Sequence, residues 1–222
     1  LLDGLVDESL PNVFSLGFKN EEMTYMAGYF AGLVTKSDME RANDELKVGL
    51  LAGDTYPAMT ERMRPAYKAG AKKVDSDIEV VFSSAGSWND PNKGRSLAES
   101  QFRQGVDIIL TIAGGTGAGA IEAAKDLGGY TIGVDSNTIN QAPDTILACT
   151  LKKADKTIKD VLLRDYRGEL PYGTSERWGV QREVISFTFD DPNYIENVPE
   201  SIRKKVKNIY NKLSEGEIKP LE

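Results

Sequence analysis

The sequence contains no histidine and only one cysteine, Cys149. Histidine is the commonest general base, zinc ligand and pH-sensitive group at neutral pH, so its absence removes the usual centre of many enzymes. A single cysteine also excludes an internal disulfide framework and a cluster of thiolate metal ligands.

Long apolar runs are absent as well. The uncharged stretch Ile108–Ile121 is rich in glycine and too short to span a bilayer, so we exclude a transmembrane protein. The 27 basic residues are outnumbered by 34 acidic ones, which gives a net charge of −7. An acidic chain repels nucleic acids and anionic membranes at long range, and we predict that it binds neither.

The remaining composition predicts a folded α/β protein. With 222 residues, of which 40% are hydrophobic, the chain can form one large domain or two small lobes. Short β-branched runs alternate with amphipathic stretches, a pattern typical of a parallel sheet with helices on both faces. We predict strands at 12–16, 47–51, 78–83, 107–112, 130–134 and 146–150. We predict helices at 22–35, 60–73, 93–104, 117–126, 154–167 and 200–213.

The first of these helices carries Gly28 and Gly32 in a Gly-x-x-x-Gly pattern. The helix is too short for a membrane dimer, so we interpret the pattern as close packing of the helix on a sheet. We expect Asn20 to cap its N-terminus.

The glycine-rich segment after residue 112 is the most informative motif. Gly115, Gly117 and Ala120 match the spacing of a dinucleotide fingerprint, and Asp135 follows twenty residues after Gly115, where an acidic residue would reach ribose hydroxyls. An NAD-dependent oxidoreductase is therefore one hypothesis. The fingerprint normally opens its domain, however, whereas the predicted strands 47–51 and 78–83 precede it here, and the chain has no Tyr-x-x-x-Lys pair. The alternative is that the segment is simply a tight strand-to-helix turn that binds no ligand.

Two further features could contribute to a site. Trp88 lies in the polar segment 86–94, where it could stack on a flat ligand or pack beneath a loop. Asp90 and Pro91 in the same segment could simply begin a helix. Lys152 ends a predicted strand and is either an ordinary surface lysine or a group that points into the crevice of an α/β sheet.

Eight short motifs together resemble the basic membrane protein (BMP) family of substrate-binding lipoproteins, and most closely its purine nucleoside receptor A-like members. They are Phe18-x-x-x-Glu22-x-x-Tyr25-Met-Ala-Gly28, Lys47-Val-Gly-Leu-Leu-Ala-Gly-Asp54, Gly70-Ala-Lys, Gly86-Ser-Trp-Asn-Asp-Pro-Asn-Lys-Gly94, Gly105-Val-Asp-Ile-Ile, Ala113-Gly-Gly-Thr-Gly117, Ile132-Gly-Val-Asp135 and Leu151-Lys152.

The resemblance implies a two-lobed, type I periplasmic-binding fold that delivers a purine nucleoside to the permease of an ABC importer, without catalysis or a cofactor. The family's ribose-binding pair matches Asp135 and Lys152. The glycine turn that approaches the nucleoside matches residues 113–117, which include Gly114, Gly115, Thr116 and Gly117. We expect Phe18 and Trp88 to be the aromatic rings that clamp the base.

The same resemblance implies a cell-surface or periplasmic protein, lipid-anchored through a cysteine upstream of this chain. Residues 1–46 would be the remnant of a first lobe, residues 47–150 a second lobe, and residues 151–222 the hinge crossing, the return to the first lobe and a C-terminal helix. The family's opening strand and its Asp-x-Ser-Phe-Asn-like motif have no match. We therefore expect either additional upstream residues or a homo-oligomer to complete the first lobe.

Smaller departures leave room for another function. The chain has Cys149 where members usually have serine, and Leu110 where some have a base-stacking phenylalanine. A ligand-sensing ectodomain on the same fold is a third hypothesis, because one fold hosts unrelated functions.

Overall fold

The computed structural model describes residues 1–4 and 10–222, and the fold class predicted from the sequence is confirmed: it is an α/β protein. The strands are β1 (Ser15–Phe18), β2 (Lys47–Ala52), β3 (Glu79–Ser84), β4 (Val106–Ile112), β5 (Tyr130–Gly133), β6 (Ile146–Lys152), β7 (Ser175–Trp178) and β8 (Ile185–Phe187). The α-helices are α1 (Asn20–Thr35), α2 (Arg64–Val74), α3 (Pro91–Arg103), α4 (Gly117–Leu127), α5 (Ala154–Tyr166), α6 (Pro192–Asn197) and α7 (Glu200–Ser214).

The strands form a larger and a smaller sheet. The larger sheet has the order β3-β2-β4-β5-β6-β8, with all pairs parallel except the last. The smaller sheet pairs β1 with β7 in parallel. Helices α1 and α2 pack together on one face of the larger sheet, and α3 and α4 pack together on the other. Both faces are therefore covered, which explains why β4 is buried along its whole length.

Most predicted elements are present with shifted ends. Strand β1 begins three residues later than predicted, and α2 is preceded by a π-helical turn at Met59–Met63. Strands β7 and β8 and helix α6 were not predicted. Strand β7 consists of Ser-Glu-Arg-Trp, which lacks the apolar run used to identify strands, and β8 has only three residues.

The glycines of α1 allow an unusually close contact between two helices. A Cβ atom at Gly28 would lie 2.0 Å from the carbonyl oxygen of Tyr67 in α2, and one at Gly70 would lie 2.1 Å from that of Tyr25 in α1. Helix α1 also packs on the larger sheet, as predicted, but the partner of its glycines is α2. The predicted cap is wrong: Lys19 is the N-cap residue, and Asn20 is the first helical residue.

The strand order also locates a crevice. From β2, the chain continues first to the neighbour on one side, β3, and then to the neighbour on the other side, β4. Ligands of open α/β sheets bind beside the carboxyl ends of strands at such a reversal. The segments after β2, β3 and β4 meet at this edge, and they contain Gly53, Trp88 and the glycine turn.

Two further facts bear on the predicted organisation. Helix α1, inside the predicted first-lobe segment, packs against the larger sheet, and β8, beyond residue 150, pairs with β6. The division of the chain at residues 46 and 150 stays a prediction. No helix among residues 1–4 and 10–222 combines the length and hydropathy needed to cross a bilayer.

Candidate ligand-binding site

The glycine turn and the Trp88 loop form one hydrogen-bonded unit at the carboxyl ends of β3 and β4. The Thr116 hydroxyl accepts a hydrogen bond from the backbone N–H of Asp90 (2.8 Å) and donates one to the carbonyl of Ser87 (2.9 Å). The backbone N–H of Thr116 donates to the carbonyl of Trp88 (3.2 Å). Thr116 is fully buried. Among the predicted site residues, it is therefore the one whose side chain joins the two segments to each other.

Helix α3 begins two residues before the predicted residue 93, and Asp90 and Pro91 begin it, as one of the two alternatives proposed. The Asp90 side chain accepts a hydrogen bond from the backbone N–H of Lys93, and Pro91 occupies the first helical position. The helix start therefore accounts for Asp90 and Pro91, but it leaves Trp88 unexplained.

Trp88 lies flat on Gly53 and leaves part of its ring open to solvent. A Cβ atom at Gly53 would lie 2.4 Å from the indole ring, so only glycine permits this contact. The backbone carbonyl of Trp88 lies against Gly114, whose φ is +55°. The ring of Tyr56 is 6.1 Å from the indole, centroid to centroid, and Trp88 is 45% exposed. An exposed indole that is held on one side offers a flat surface for stacking.

Lys152 and two carboxylates form the charged part of the site. Lys152 Nζ lies 3.1 Å from Asp3 Oδ2 and 3.4 Å from Asp135 Oδ1. The lysine side chain is 14% exposed, whereas that of Asp135 is 58% exposed. Asp3 directly follows Leu2, which forms a bridge to β1 of the smaller sheet, while Lys152 ends β6 of the larger sheet. The ammonium therefore joins carboxylates associated with both sheets.

The backbone of Asp135 has an uncommon conformation. Its φ is +69°, in the left-handed region that, apart from glycine, mainly asparagine and aspartate adopt. Its carbonyl accepts a hydrogen bond of 2.9 Å from the backbone N–H of Lys152. The two predicted ribose-binding residues are thus connected through their main chains as well as through their charges.

Phe18 lies beneath the ammonium. Lys152 Nζ is 5.4 Å from the centre of its ring, and Phe18 is only 4% exposed. A ring in this position stabilises the cation above it and shields it from water. Its predicted role as a ring that stacks on a base stays a prediction.

A cavity of mixed polar and apolar lining contains three of the predicted glycines and Asp135. It has a volume of about 370 Å³, and its wall contains Gly114, Gly115, Gly117 and Asp135. Thr131 also lines it, with a buried hydroxyl that has no hydrogen-bond partner among the described residues. The structure therefore brings the glycine turn and Asp135 to the same space, as the sequence predicted.

Sequence reasoning missed Asp3 and Tyr56. Burial raises the pKa of the Tyr56 hydroxyl; Lys152 opposes the rise, and Asp135 and Asp3 add to it. The tyrosine thus lies between the charged group and Trp88. The sequence offered one signal for each residue, namely its position. Asp3 follows the apolar pair Leu1 and Leu2, and Tyr56 lies three residues after Gly53, in the segment that follows β2.

The position of the glycine turn disagrees with a dinucleotide-binding domain. In that domain the fingerprint follows the first strand, at the centre of the sheet order. Here it follows β4, and the first strand of the larger sheet is β2. The turn is held by Thr116 and Trp88, which the fingerprint does not include.

Comparison with known proteins identifies the family of this chain. Residues 1–219 match the family model described as ABC transporter substrate-binding protein PnrA-like. The chain belongs to this family. Basic membrane protein D of Borreliella burgdorferi is 33% identical over 96% of this chain and 58% of its own length. The ABC transporter nucleoside-binding protein BmpA of Lactococcus lactis is 28% identical over 86% of this chain and 56% of its own length.

Solved structures support the type I periplasmic-binding fold. A solute-binding protein of an ABC transporter system from Aeropyrum pernix superposes with a TM-score of 0.82 at 23% identity, covering 98% of this chain and 69% of its own. A protein from Bacillus halodurans described as a transcriptional activator of the comK gene superposes with a TM-score of 0.80, also at 23% identity, covering 99% of this chain and 70% of its own. The chain spans roughly three-fifths of the length of these curated family relatives.

Proposed function

We propose that this protein is the solute-binding component of an ABC importer and that it binds a purine nucleoside without catalysing a reaction. The observation that carries the proposal is the half-exposed carboxylate of Asp135, held 3.4 Å from the Lys152 ammonium at the sheet edge where ligands of this fold bind. The match to the PnrA-like family and the name of the Lactococcus lactis relative support it.

A ribose fits the chemistry of this pair. A carboxylate has enough lone pairs to accept hydrogen bonds from two adjacent hydroxyls, and bonds to a charged acceptor are stronger than neutral ones. Lys152 can donate to the same hydroxyl oxygens and offsets the cost of burying the carboxylate beneath a ligand. The backbone N–H groups at Gly114 and Gly115 lie on the same cavity and are accessible because neither residue has a side chain.

The base would stack on Trp88. The indole is exposed, is held flat against Gly53 and has Tyr56 beside it. Stacking on an aromatic ring is worth about 1–3 kcal/mol per base and tolerates different purines. We assign Phe18 the supporting role of holding the Lys152 ammonium, because its ring is covered by that group.

The two sheets would be parts of two lobes that close on the ligand. In this arrangement β1 and β7 belong to the first lobe, and the strands from β2 to β6 form the second. Lys152 contacts Asp3 on one side and Asp135 on the other, so a bound ribose would replace part of an existing contact between the lobes. The permease would then recognise the closed state, whose population the ligand increases.

The smaller sheet leaves an apolar surface that this arrangement must cover. A cavity of 440 Å³ lies between β1 and α5, and apolar side chains such as Leu1, Ile158 and Leu162 line it. We propose that further residues of the first lobe, or a second copy of the chain, pack there. We also propose a periplasmic or cell-surface location with a lipid anchor upstream of this chain.

Thermal melting with a panel of nucleosides tests the function. At a ligand concentration of about 100 times Kd, binding to the native state alone adds roughly 2.7 kcal/mol of stability. For a protein of this size that raises Tm by about 5–10 °C. Adenosine, guanosine or inosine should raise Tm by this amount. We expect 2′,3′-dideoxyadenosine, NAD and free ribose to raise Tm by less than about 1–2 °C, which is a fifth of that rise.

A cooperative melt that no purine nucleoside shifts would contradict the proposal. A shift caused by NAD but not by adenosine would instead support a dinucleotide site at the glycine turn.

A further inference from the structure

A second candidate site lies along the outer edge of β3, at one side of the larger sheet. Strand β3 pairs with β2 and is the last strand of the sheet, so in the described part of the chain its outer edge has no strand beside it. Its backbone N–H and C=O groups along that edge are a template for another strand. The edge is also partly apolar, because Val80, Val81 and Phe82 lie in its middle.

Three cations line this edge on the side of α2. Arg64, Lys68 and Lys72 follow one another at four-residue intervals and are all exposed. Together with Ile78, Glu79 and Val80 they line a groove of 260 Å³. None of the three cations takes part in a salt bridge within residues 1–4 and 10–222.

The helix and the strand run in opposite directions, with the cations distributed along the strand. The guanidinium of Arg64 lies 4.5 Å above the ring of Phe82, near the end of β3. The ammonium of Lys72 donates a hydrogen bond to the carbonyl of Ser76, before the beginning of β3. A strand added beside β3 would therefore pass all three cations in turn.

The spacing of these cations matches that of alternate residues on an added strand. Positions four residues apart on a helix are separated by about 6.0 Å along its axis. Side chains on one face of a strand recur every second residue, or about every 6.8 Å. Three carboxylates at alternate positions would thus lie opposite the three cations of α2, while the residues between them would face the other side of the sheet.

We propose that the β3 edge and the cationic groove bind an extended, acidic segment of a partner protein by strand addition. The segment would have Asp or Glu at every second position, facing α2. This surface carries positive charge on a chain whose net charge is −7, so it selects a partner by charge complementarity.

A second copy of this chain fits the edge poorly. Pairing β3 with β3 of another copy in antiparallel orientation would place the two α2 helices on the same face, with their cations toward each other. The partner strand would then present Val80 and Phe82 to that face, because these residues share the side of Val48 and Leu50 in the paired register. Cations would meet apolar side chains and other cations rather than carboxylates.

A labelled peptide tests the proposal by fluorescence anisotropy at low salt. The probe is an end-capped seven-residue peptide, Thr-Glu-Val-Glu-Val-Glu-Thr, and the control peptide replaces its glutamates with lysines. A Lys68→Gln and Lys72→Gln double variant should weaken probe binding about five- to tenfold, since each exposed ion pair contributes several tenths of a kcal/mol. The matched variant Lys204→Gln and Lys205→Gln, on exposed positions of α7, should bind within twofold of the wild type (about 0.4 kcal/mol).

A third peptide separates strand addition from simple charge attraction. It carries the same side chains, but its backbone is N-methylated at alternate residues so that one edge cannot donate hydrogen bonds to β3. Methylation of the edge that faces β3 should abolish binding. No binding of the acidic probe, equal binding to both double variants, or binding of the methylated peptide as tight as that of the probe would overturn the proposal. Concentration-dependent sedimentation of the protein alone that disappears in the Lys68 and Lys72 variant would favour self-association instead.

Discussion

The two ends of the larger sheet carry aspartates in opposite situations. Asp107 near the amino end of β4 is 1% exposed and accepts hydrogen bonds from the Thr35 hydroxyl and from the backbone and side chain of Asn43. Asp135, after the carboxyl end of β5, is more than half exposed and has left-handed backbone. The Asp107 carboxylate accepts hydrogen bonds that connect the end of α1 to the sheet, whereas the exposed Asp135 carboxylate can still accept hydrogen bonds from a ligand.

An acid used in the fold differs from one that is available to a ligand in its surroundings. Both residues are single aspartates near strand ends, and the sequence distinguishes Asp135 only by its spacing from Gly115 and by the family resemblance. Three properties distinguish the two aspartates: the number of hydrogen-bond donors around the carboxylate, the exposure of the side chain, and whether the backbone has an energetically unfavourable conformation.

The largest effect is expected from Asp135→Asn. Asparagine tolerates the left-handed backbone, so the fold should be retained, but the neutral amide accepts fewer and weaker hydrogen bonds from the ribose. We expect the affinity for adenosine, measured by titration calorimetry, to fall about 100-fold, which is about 2.7 kcal/mol. Affinity within a few-fold of the wild type would show that the ribose does not contact Asp135.

Asp107→Asn should change stability and its pH dependence, with no effect on binding. Burial raises the pKa of the Asp107 carboxyl from its ordinary 3.8 to about 6, against the opposing effect of its hydrogen bonds from Thr35 and Asn43. The folded state therefore holds this proton more tightly than the unfolded state. It follows that the contribution of Asp107 to stability decreases as the pH rises from about 4 to about 6.

Asparagine removes this loss because it is neutral at every pH, and its amide can donate to the Thr35 hydroxyl in place of accepting from it. We expect the variant to gain about 2 kcal/mol over the wild type at pH 7 and almost nothing at pH 4. Melting curves at both pH values measure the difference. The exposed Asp144→Asn serves as the control, and an equal gain at pH 4 and pH 7 would contradict the assignment.

Trp88→Leu should give the smallest of the three effects. Leucine keeps an apolar contact with Gly53 but loses the flat ring, so we expect roughly a tenfold loss of affinity for purine nucleosides, or about 1.4 kcal/mol. Free ribose, which has no base to stack, should show no such loss. A Trp88→Phe variant should recover most of the affinity, and failure to do so would indicate that the indole has another role.

The sequence predicted β2 and β4 of the larger sheet well because they are almost continuous apolar runs buried on both faces. It missed β8 of the same sheet, which has only three residues. It also grouped Asp135, Lys152 and the glycine turn correctly, since the carboxyl ends of parallel strands share one edge. Strand β7 was missed because its Ser-Glu-Arg-Trp sequence lies at a sheet edge and is polar. Asp3 was missed because its contact with Lys152 joins residues 149 positions apart, and no local pattern encodes such a pairing.

The contact between the Lys152 ammonium and the Phe18 ring could not be predicted from the sequence either. An aromatic residue beside a ligand site suggests stacking, but here burial and the ammonium above its ring favour a supporting role. Likewise, the N-cap of α1 is Lys19 and not the predicted Asn20, a difference of one residue at a helix end.

A coupling measurement tests the central claim most directly. Calorimetry would compare adenosine with 2′,3′-dideoxyadenosine on the wild type and on Asp135→Asn. If Asp135 holds the ribose hydroxyls, their removal should cost the wild type about 100-fold in affinity and the variant less than about threefold. An equal cost of removing the hydroxyls from both proteins would contradict the account, because the hydroxyls would then bind elsewhere.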